Sequence, residues 1–539
     1  MCGITILWGK NIDRAAHKQA LDALGPRGPD AANHEFLTHL ASGTEISIGF
    51  ARLHIQGERD GAEQPFDTDN GRIVLCNGEI FNSDLLIKQL DLQVPEGSSD
   101  CAVIPALLNR GLSLAEVARQ LDGDFAIVVL DPHTGGVQVA RDPYGVRPLF
   151  YAEWAEVRGV ASELKGLLPD ATYIQAIEPG TVVTMSFTTD TRETVVWHQP
   201  PWLKIPAWRS STEGSATLRH ALEEAVAKRL TTVREVGACL SGGLDSSLVA
   251  AIAARSLACA GKRLHTYSIG MEGSPDLEHA RLVADHIGSI HHERIITAEE
   301  CLAAIPDVVK AIESFDITTV RASVGNYLLG QFVATETPLV KVVLNGDGAD
   351  EVLGGYLYMR AAPDDAAFEV ETDRLLSEIH RYDVLRSERS MAAHGLESRS
   401  PCLDRHFVAV ARGLPTDMLR PGPTKIEKFV LRQAFDTGLL PEKVLWRRKE
   451  AFSDGISRAE KSWFESAKAA GEAIASGVDA TEYKINSPPT AEAMWYRTLF
   501  HQHYPIVAAS VIPAMWMPRF VQATDPSART LSIYEFETK

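Results

Sequence analysis

Val236-Gly-Ala-Cys-Leu240-Ser241-Gly242-Gly243-Leu244-Asp245-Ser246-Ser247 decides the fold of the larger part of this chain. The apolar run from Val236 to Leu240 predicts a short buried strand, and a helix is predicted from Ser247 to about Ala258. Between them, Gly242 and Gly243 let backbone N–H groups approach an anion closely. The hydroxyls of Ser241, Ser246 and Ser247 add donors, and the N-terminus of the helix adds its positive dipole. Strand, loop and helix together predict a phosphate cradle. A Walker A loop would carry a lysine before its Ser/Thr; this one carries Asp245. A carboxylate beside phosphates would repel them, so it implies a divalent cation, and Mg²⁺ held by one or two carboxylates fits, with Asp350 as the second ligand.

The surroundings extend the pattern. Leu218, Leu222, Val226 and Leu230 recur at helical spacing upstream. Downstream, HTYSIG (265–270) predicts a strand, DLEHARLVADHIG (276–288) a helix and KVVLNGDGADE (341–351) another strand, with a mainly helical tail after about Asp364. Alternating β and α elements predict a parallel α/β domain. From Ile4 to about Trp197 the chain instead reads as strands, among them ISIGF, RIVLCN, DFAIVVL and VQVAR, punctuated by Gly, Asp and Pro. Phe125–Leu130 and Val137–Arg141 flank a loop of turn formers and predict a hairpin. Pro200, Pro201, Pro206 and the run from Ser210 to Gly214 break the pattern. The expected domains are therefore residues 1–205 and 210–539.

Composition excludes several classes of function. With 539 residues, 45% hydrophobic and 23% charged, the chain has the make-up of a soluble two-domain protein. A net charge of −18 argues against a nucleic-acid binder, which needs clustered Lys and Arg. Seven cysteines without CxxC or His-Cys spacing predict neither zinc nor a disulfide framework. No apolar stretch of about 18 or more residues predicts a membrane span, and a cytoplasmic location is expected.

Cys2 follows the initiator methionine. Removal of Met1 would leave its thiol beside a free α-amine that titrates near neutrality, a nucleophile with its own base. After it come Arg27-Gly-Pro-Asp30, Arg52-Leu53, Asn77-Gly78-Glu79, Ser98-Ser-Asp100, Arg141-Asp-Pro-Tyr-Gly-Val-Arg147-Pro-Leu149 and Ala161-Ser-Glu163. Together these resemble the class II glutamine amidotransferases. The resemblance implies that Arg52 pairs with the glutamine α-carboxylate and that Glu79 and Asp100 hold its α-amine. The Asn77 side chain and the Gly78 N–H would form an oxyanion hole. It also implies an Ntn-type αββα sandwich.

The Ser241–Ser247 string likewise resembles the N-type ATP pyrophosphatases, which cleave ATP between its α and β phosphates and pass AMP to a substrate oxygen. Taken together, the two resemblances narrow to the asparagine synthetase family, two-domain α+β and α/β proteins acting as ATP-dependent carbon–nitrogen ligases. Gly273-Ser-Pro-Asp276, Asp316-Ile-Thr-Thr-Val-Arg-Ala-Ser323, Asp350-Glu351 with Gly354-Gly-Tyr356, Glu397-Ser-Arg399 with Leu403-Asp404, and Trp446-Arg-Arg-Lys449-Glu450 with Phe452-Ser-Asp-Gly455 carry it over nearly the whole chain. By this resemblance Leu240, Ile269 and Gly346 join the 241–247 loop in binding ATP. Lys449 lies near the pyrophosphate, and Thr318, Arg321, Asn345 and Asp347 meet the acceptor. Glutamine, ATP and aspartate are the small-molecule partners implied, with an apolar internal passage for ammonia; a homodimer is left open.

One segment departs from the family pattern. Ser-Gly-Glu-Gly-Ser-Asp-Glu is usual where this chain has Asn345-Gly-Asp347-Gly-Ala-Asp350-Glu351. Asp347 keeps the carboxylate expected to take a proton from ammonia but withdraws it by one methylene. Three alternatives follow: amidation of a different carboxylate, a β-lactam-forming synthetase, against which the intact Cys2, Arg52, Asn77 and Asp100 speak, and a non-catalytic glutamine or nucleotide sensor.

Overall fold

The computed structural model describes residues 1–39, 41–58, 63–189, 191–200, 211–422, 425–449, 457, 462–475, 477, 480 and 483–527. The expected linker around Pro201 and Pro206, and the segment from Glu450 to Gly455, lie outside the described residues.

Among the described residues, twelve strands build the N-terminal domain: β1 Gly3–Gly9, β2 Ala31–His39, β3 Thr44–Arg52, β4 Phe66–Asp67, β5 Ile73–Ile80, β6 Gly123–Asp131, β7 Gly136–Arg141, β8 Phe150–Glu153, β9 Val157–Ala161, β10 Tyr173–Ala176, β11 Thr181–Ser186 and β12 Arg192–Val196. They form two six-stranded antiparallel sheets, ordered β10-β8-β9-β1-β3-β2 and β12-β11-β7-β6-β5-β4. The expected hairpin is there, with Asp131 paired to Gly136 across the turn.

Alternation along β6 shows how the layers arise, because successive strand residues face opposite sides of a sheet. Ala126, Val128 and Leu130 pack with Ile4, Ile6 and Phe50 of the first sheet. Phe125, Ile127 and Val129 face the other way, onto Leu86, Val103, Leu107 and Val117. The latter belong to helices α2 Ser83–Leu90, α3 Val103–Asn109 and α4 Leu114–Gln120, while α1 Arg14–Ala23 covers the first sheet through Leu21. The result is the expected αββα sandwich.

The second domain opens with α5 Ser211–Lys228, in which Leu218, Leu222 and Val226 are buried; Leu230 falls beyond the helix end. Five parallel strands follow, β13 Glu235–Cys239, β14 His265–Gly270, β15 Ile290–Ile295, β16 Val340–Leu344 and β17 Glu397–Arg399, in the order β15-β14-β13-β16-β17. Helices α6 Leu244–Cys259, α7 Pro275–Ile287, α8 Ala298–Ile312 and α9 Ile317–Glu336 make the crossovers. Then come α10 Ala349–Leu353, α11 Asp365–Glu378 and α12 Asp383–Ala392.

Two expectations are corrected. Strand β16 stops at Leu344, so 345–348 form a loop rather than continuing the strand. Helix α6 starts at Leu244, which puts Asp245, Ser246 and Ser247 on its first turn. The tail after Asp364 is mainly helical, as expected, and also holds β17, a three-residue strand of charged and polar residues that shows no hydrophobic period.

The strand order reverses between β13 and β16, because the chain leaves β13 toward β14 on one side and returns at β16 on the other. In open α/β sheets, ligands bind at the carboxyl ends of the strands flanking such a switch point. The two loops there are Leu240–Gly243 and Asn345–Gly348.

Candidate active sites

Cys2 immediately precedes β1, which pairs with β3 from Gly3 against Ala51, so Cys2 lies beside the residues that end β3. Its Sγ is 3.9 Å from the Leu53 carbonyl, and its backbone N–H donates to Asn77 Oδ1 at 2.9 Å. Asn77 is fully buried, and its other amide atom, Nδ2, has no partner. A buried donor without an acceptor is costly, and this one is available to meet an acceptor oxygen beside Cys2. Asn77-Gly78 runs inside β5 rather than forming a turn, and a Cβ on Gly78 would stand 2.3 Å from the Asp124 carbonyl oxygen. Only glycine allows β5 to sit this close to β6.

The remaining polar residues gather around that pair. Arg52 is buried and one Nη donates to the Glu58 carbonyl at 3.1 Å. Asp100 accepts the Ile80 N–H at 2.5 Å, and burial pushes its carboxyl up to about 7. Burial, and then the neighbouring Asp100, push the Glu79 carboxyl well above its usual range. Glu79 also accepts from Gln56 at 2.8 Å and lies 3.0 Å from Arg399, which reaches it from β17. Neither Gln56 nor Arg399 was singled out in the sequence as belonging to this site. Burial likewise raises the Cys2 thiol. Its thiolate is therefore not preformed, and deprotonation needs a base.

In the second domain one cleft is lined by Leu240, Ser241, Gly243, Asp245, Ser246, Ile269, Thr318, Arg321, Asn345, Gly346, Asp347, Asp350 and Lys449. Gly242 and Ser247, also expected at the site, are not among its lining residues. Gly242 has φ of +73° and a Cβ there would lie 2.5 Å from that of His279, so glycine is required for the turn. The loop is tied by hydroxyls: Ser241 and Ser246 Oγ are 3.0 Å apart, and the Gly243 N–H donates to Ser241 Oγ at 3.3 Å. The first-turn amides of α6, which have no intrahelical acceptor, open into the cleft.

Asp245 and Asp350 are bridged by Lys428, whose Nζ donates to one oxygen of each at 2.6 and 2.7 Å. Lys449 pairs with the second oxygen of Asp350. Burial disfavours an ionised Asp350, but the two ammonium groups outweigh it and hold its carboxyl below the usual range. The second oxygen of Asp245 is buried without a partner. An open carboxylate oxygen, next to another carboxylate and facing a phosphate loop, is the donor set a magnesium ion takes with substrate phosphates, so the residues fit it.

Asp347 follows a loop fixed by Asn345, which donates to Ser398 Oγ at 2.7 Å, accepts from Ser400 at 2.8 Å and accepts the Asp347 N–H at 3.1 Å. One Asp347 oxygen takes an Arg386 hydrogen bond at 3.2 Å; the other is buried and unpartnered. Burial raises the Asp347 carboxyl, with Arg386 opposing. Thr318 Oγ1 is also buried without a partner. Arg321 lines the cleft, yet its guanidinium is engaged by Glu492 at 2.6 Å and Asp525 at 2.8 Å.

Lys428 and Arg386 are among the cleft residues that sequence reasoning missed. Lys428 adopts φ of +54°, which nothing in its sequence signals. Arg386 belongs to a segment, DVLRSERSMA, whose charges suggest a solvated helix, although Ser387 through Ser390 are all buried.

The sequence matches the family model "Asparagine synthase" over residues 217–373 and 362–517, and "Glutamine amidotransferase domain" over residues 1–203. It is 40% identical to an asparagine synthetase [glutamine-hydrolyzing] of Gallus gallus, covering 99% of each chain. Against that of Homo sapiens it is 39% identical over 100% of both. A probable asparagine synthetase of Acanthamoeba polyphaga mimivirus is 36% identical, covering 99% of this chain and 100% of that one.

Proposed function

The chain belongs to the asparagine synthetase family, and from that premise we propose how its residues make asparagine, glutamate, AMP and pyrophosphate from glutamine, aspartate and ATP. The observation that carries the assignment is the pair of complete polar sites, each holding a buried donor or carboxylate oxygen without a partner, in one chain aligned end to end with these enzymes.

Glutamine binds with its α-carboxylate on Arg52 and its α-amine between Asp100 and Glu79. Once Met1 is removed, the nitrogen held by Asn77 Oδ1 becomes the α-amine of Cys2 and takes the thiol proton. Sγ attacks the side-chain amide, and Asn77 Nδ2 with the Gly78 N–H receives the oxyanion. The protonated amine returns its proton to the leaving ammonia, and water cleaves the thioester to glutamate.

ATP lies with its phosphates on the Ser241–Ser247 loop and its purine between Leu240 and Ile269, the Gly346 backbone closing over it. Asp245 and Asp350 would hold Mg²⁺, which when bound neutralises charge on the departing pyrophosphate. Lys428, beside both carboxylates, and Lys449, beside Asp350, stabilise the same charge as the α–β bond breaks. Aspartate, held near Thr318, Arg321 and Asn345, attacks the α-phosphorus through its side-chain carboxylate. Ammonia then attacks the acyl-adenylate, Asp347 accepts its proton and AMP leaves. Ammonia crosses from Cys2 inside the molecule, because in bulk water it would be protonated. Seven free cysteines accord with a reducing, cytoplasmic setting.

Supplying glutamine, ATP and Mg²⁺ with aspartate or a panel of other carboxylates tests the acceptor. Aspartate alone is expected to release pyrophosphate and yield an amide. Preference for another carboxylate would overturn the assignment and make the Asn345–Asp350 departures a change of specificity.

A further inference from the structure

Helix α12 touches both sites. Arg386 extends from it to Asp347, at 3.2 Å, and is steadied by Asp383 at 2.7 Å and Asn326 at 3.0 Å. Two residues on, Glu388 grips Arg27 of the N-terminal domain through both carboxylate oxygens, one of them at 3.2 Å. At about 100° per residue the two side chains leave nearly opposite faces of the helix. Arg27 in turn donates from Nε to the carbonyl of Cys2 at 2.9 Å and from Nη1 to Glu163 at 2.6 Å. Arg27 is 1% and Glu388 2% exposed. Side-chain contacts on two faces of α12, joined through the helix backbone between Arg386 and Glu388, thus connect the Cys2 carbonyl to the Asp347 carboxylate.

A second tie holds the helix against the N-terminal domain. Arg389 donates to Glu313 at 2.7 Å, and Glu313 accepts the N–H groups of Leu164 and Lys165, each at 2.8 Å. A shift of the helix therefore bears on the N-terminal domain at Arg27 directly and at Leu164 and Lys165 through Glu313.

Resting on the two-site assignment above, we infer that α12 ties glutamine hydrolysis to the state of the acceptor site, and that Glu388 is a positioning residue acting on Cys2 through Arg27. Asp347 and Asp383 share one guanidinium. When Asp347 gains a proton or an anionic acceptor enters, the balance of charge on Arg386 changes and the helix is displaced. Glu388 transmits that displacement to Arg27 and so to the Cys2 carbonyl. A nucleophile misplaced by about 1 Å loses roughly 10²-fold in rate, so a small movement suffices.

The test is kcat/KM for glutamine hydrolysis with and without aspartate and ATP, alongside ammonia-dependent asparagine formation, in wild type, Glu388→Gln and Glu388→Asp. Wild type is expected to hydrolyse glutamine about fivefold or more faster when the acceptor site is filled, the lower end of ordinary allosteric coupling. Glu388→Gln brings that ratio to about one while leaving ammonia-dependent synthesis unchanged, and Glu388→Asp restores part of it. A merely structural role lowers hydrolysis equally in both conditions and keeps the ratio, which overturns the inference. So does a wild type whose hydrolysis ignores aspartate and ATP. If Glu388→Gln does not fold, the ratio in Glu388→Asp decides: it supports the inference if reduced and overturns it if unchanged. Failure of wild type to make asparagine from ammonium would instead overturn the two-site assignment itself.

Discussion

Asp100 titrates where an enzyme can be assayed. Its carboxyl is raised from 3.8 to about 7 by burial, so in the free protein it is largely protonated below pH 7 and ionised above. An ammonium group binds the ionised form. Below pH 7 the proton must be lost first, and the Cys2 α-amine must be unprotonated as well, so kcat/KM for glutamine should fall more steeply than about tenfold per pH unit, since that ratio reports the free enzyme. Asp100→Asn should keep only the limb of the amine, about tenfold per pH unit, at a lower level; an unchanged slope would assign the titration elsewhere. Asp347 makes a second residue-scale case. Losing a general base costs about 10²- to 10⁴-fold. Asp347→Asn should therefore lower single-turnover amide formation far more than aspartate-dependent pyrophosphate release. Equal loss of both would leave Asp347 as a binding group. The sequence pointed to both carboxylates through their neighbours, but not to Arg386 as the partner of Asp347 or to Arg399 as the partner of Glu79. Glu79 and Arg399 are 320 positions apart, and no local pattern records such a pairing.

At the scale of elements, the β13–α6 junction was legible because glycine, hydroxyl and strand signals coincide within twelve residues. Strand β17 and helix α12 were not. One is three polar residues long; the other wears a surface sequence while buried between domains, where Arg27, Asp347 and Glu313 satisfy its charges. Between the two legible loops the fit is close. A Cβ on Gly346 would lie 2.7 Å from the Ser246 nitrogen and 2.8 Å from the Asp245 carbonyl carbon. Gly346→Ala should push the loops apart. Overpacking of this kind costs about 1–3 kcal/mol, so adenylation should drop roughly 5- to 150-fold. Glutamine hydrolysis without acceptor should continue at its ordinary rate. Pyrophosphate release and glutamate formation, measured side by side, distinguish this from general misfolding, which lowers both.

Across the whole molecule the two domains share their cores. Leu53, Ile55, Tyr144 and Val146 of the N-terminal domain pack into the cluster around β13 and α6. Phe150, Ala161 and Leu164 pack into the one around α8 and α9. Around them Glu397 pairs with Arg399 at 2.8 Å and lies 3.6 Å from Arg147, and Arg229 reaches Asp404 at 2.9 Å and Asp124 at 3.6 Å. The sequence divided the chain into two chemistries and placed each on its domain, but this shared interface depends on packing between residues far apart in the chain. Its functional meaning is that one site feeds the other. The most direct test is asparagine formation by Cys2→Ala, with glutamine or ammonium as the nitrogen source. Without the thiol, the glutamine-dependent reaction should vanish while the ammonium-dependent reaction, with ATP and aspartate, keeps its wild-type rate. Glutamine-dependent synthesis surviving in Cys2→Ala, or ammonium failing to support it although wild type uses ammonium, would contradict the two-site account.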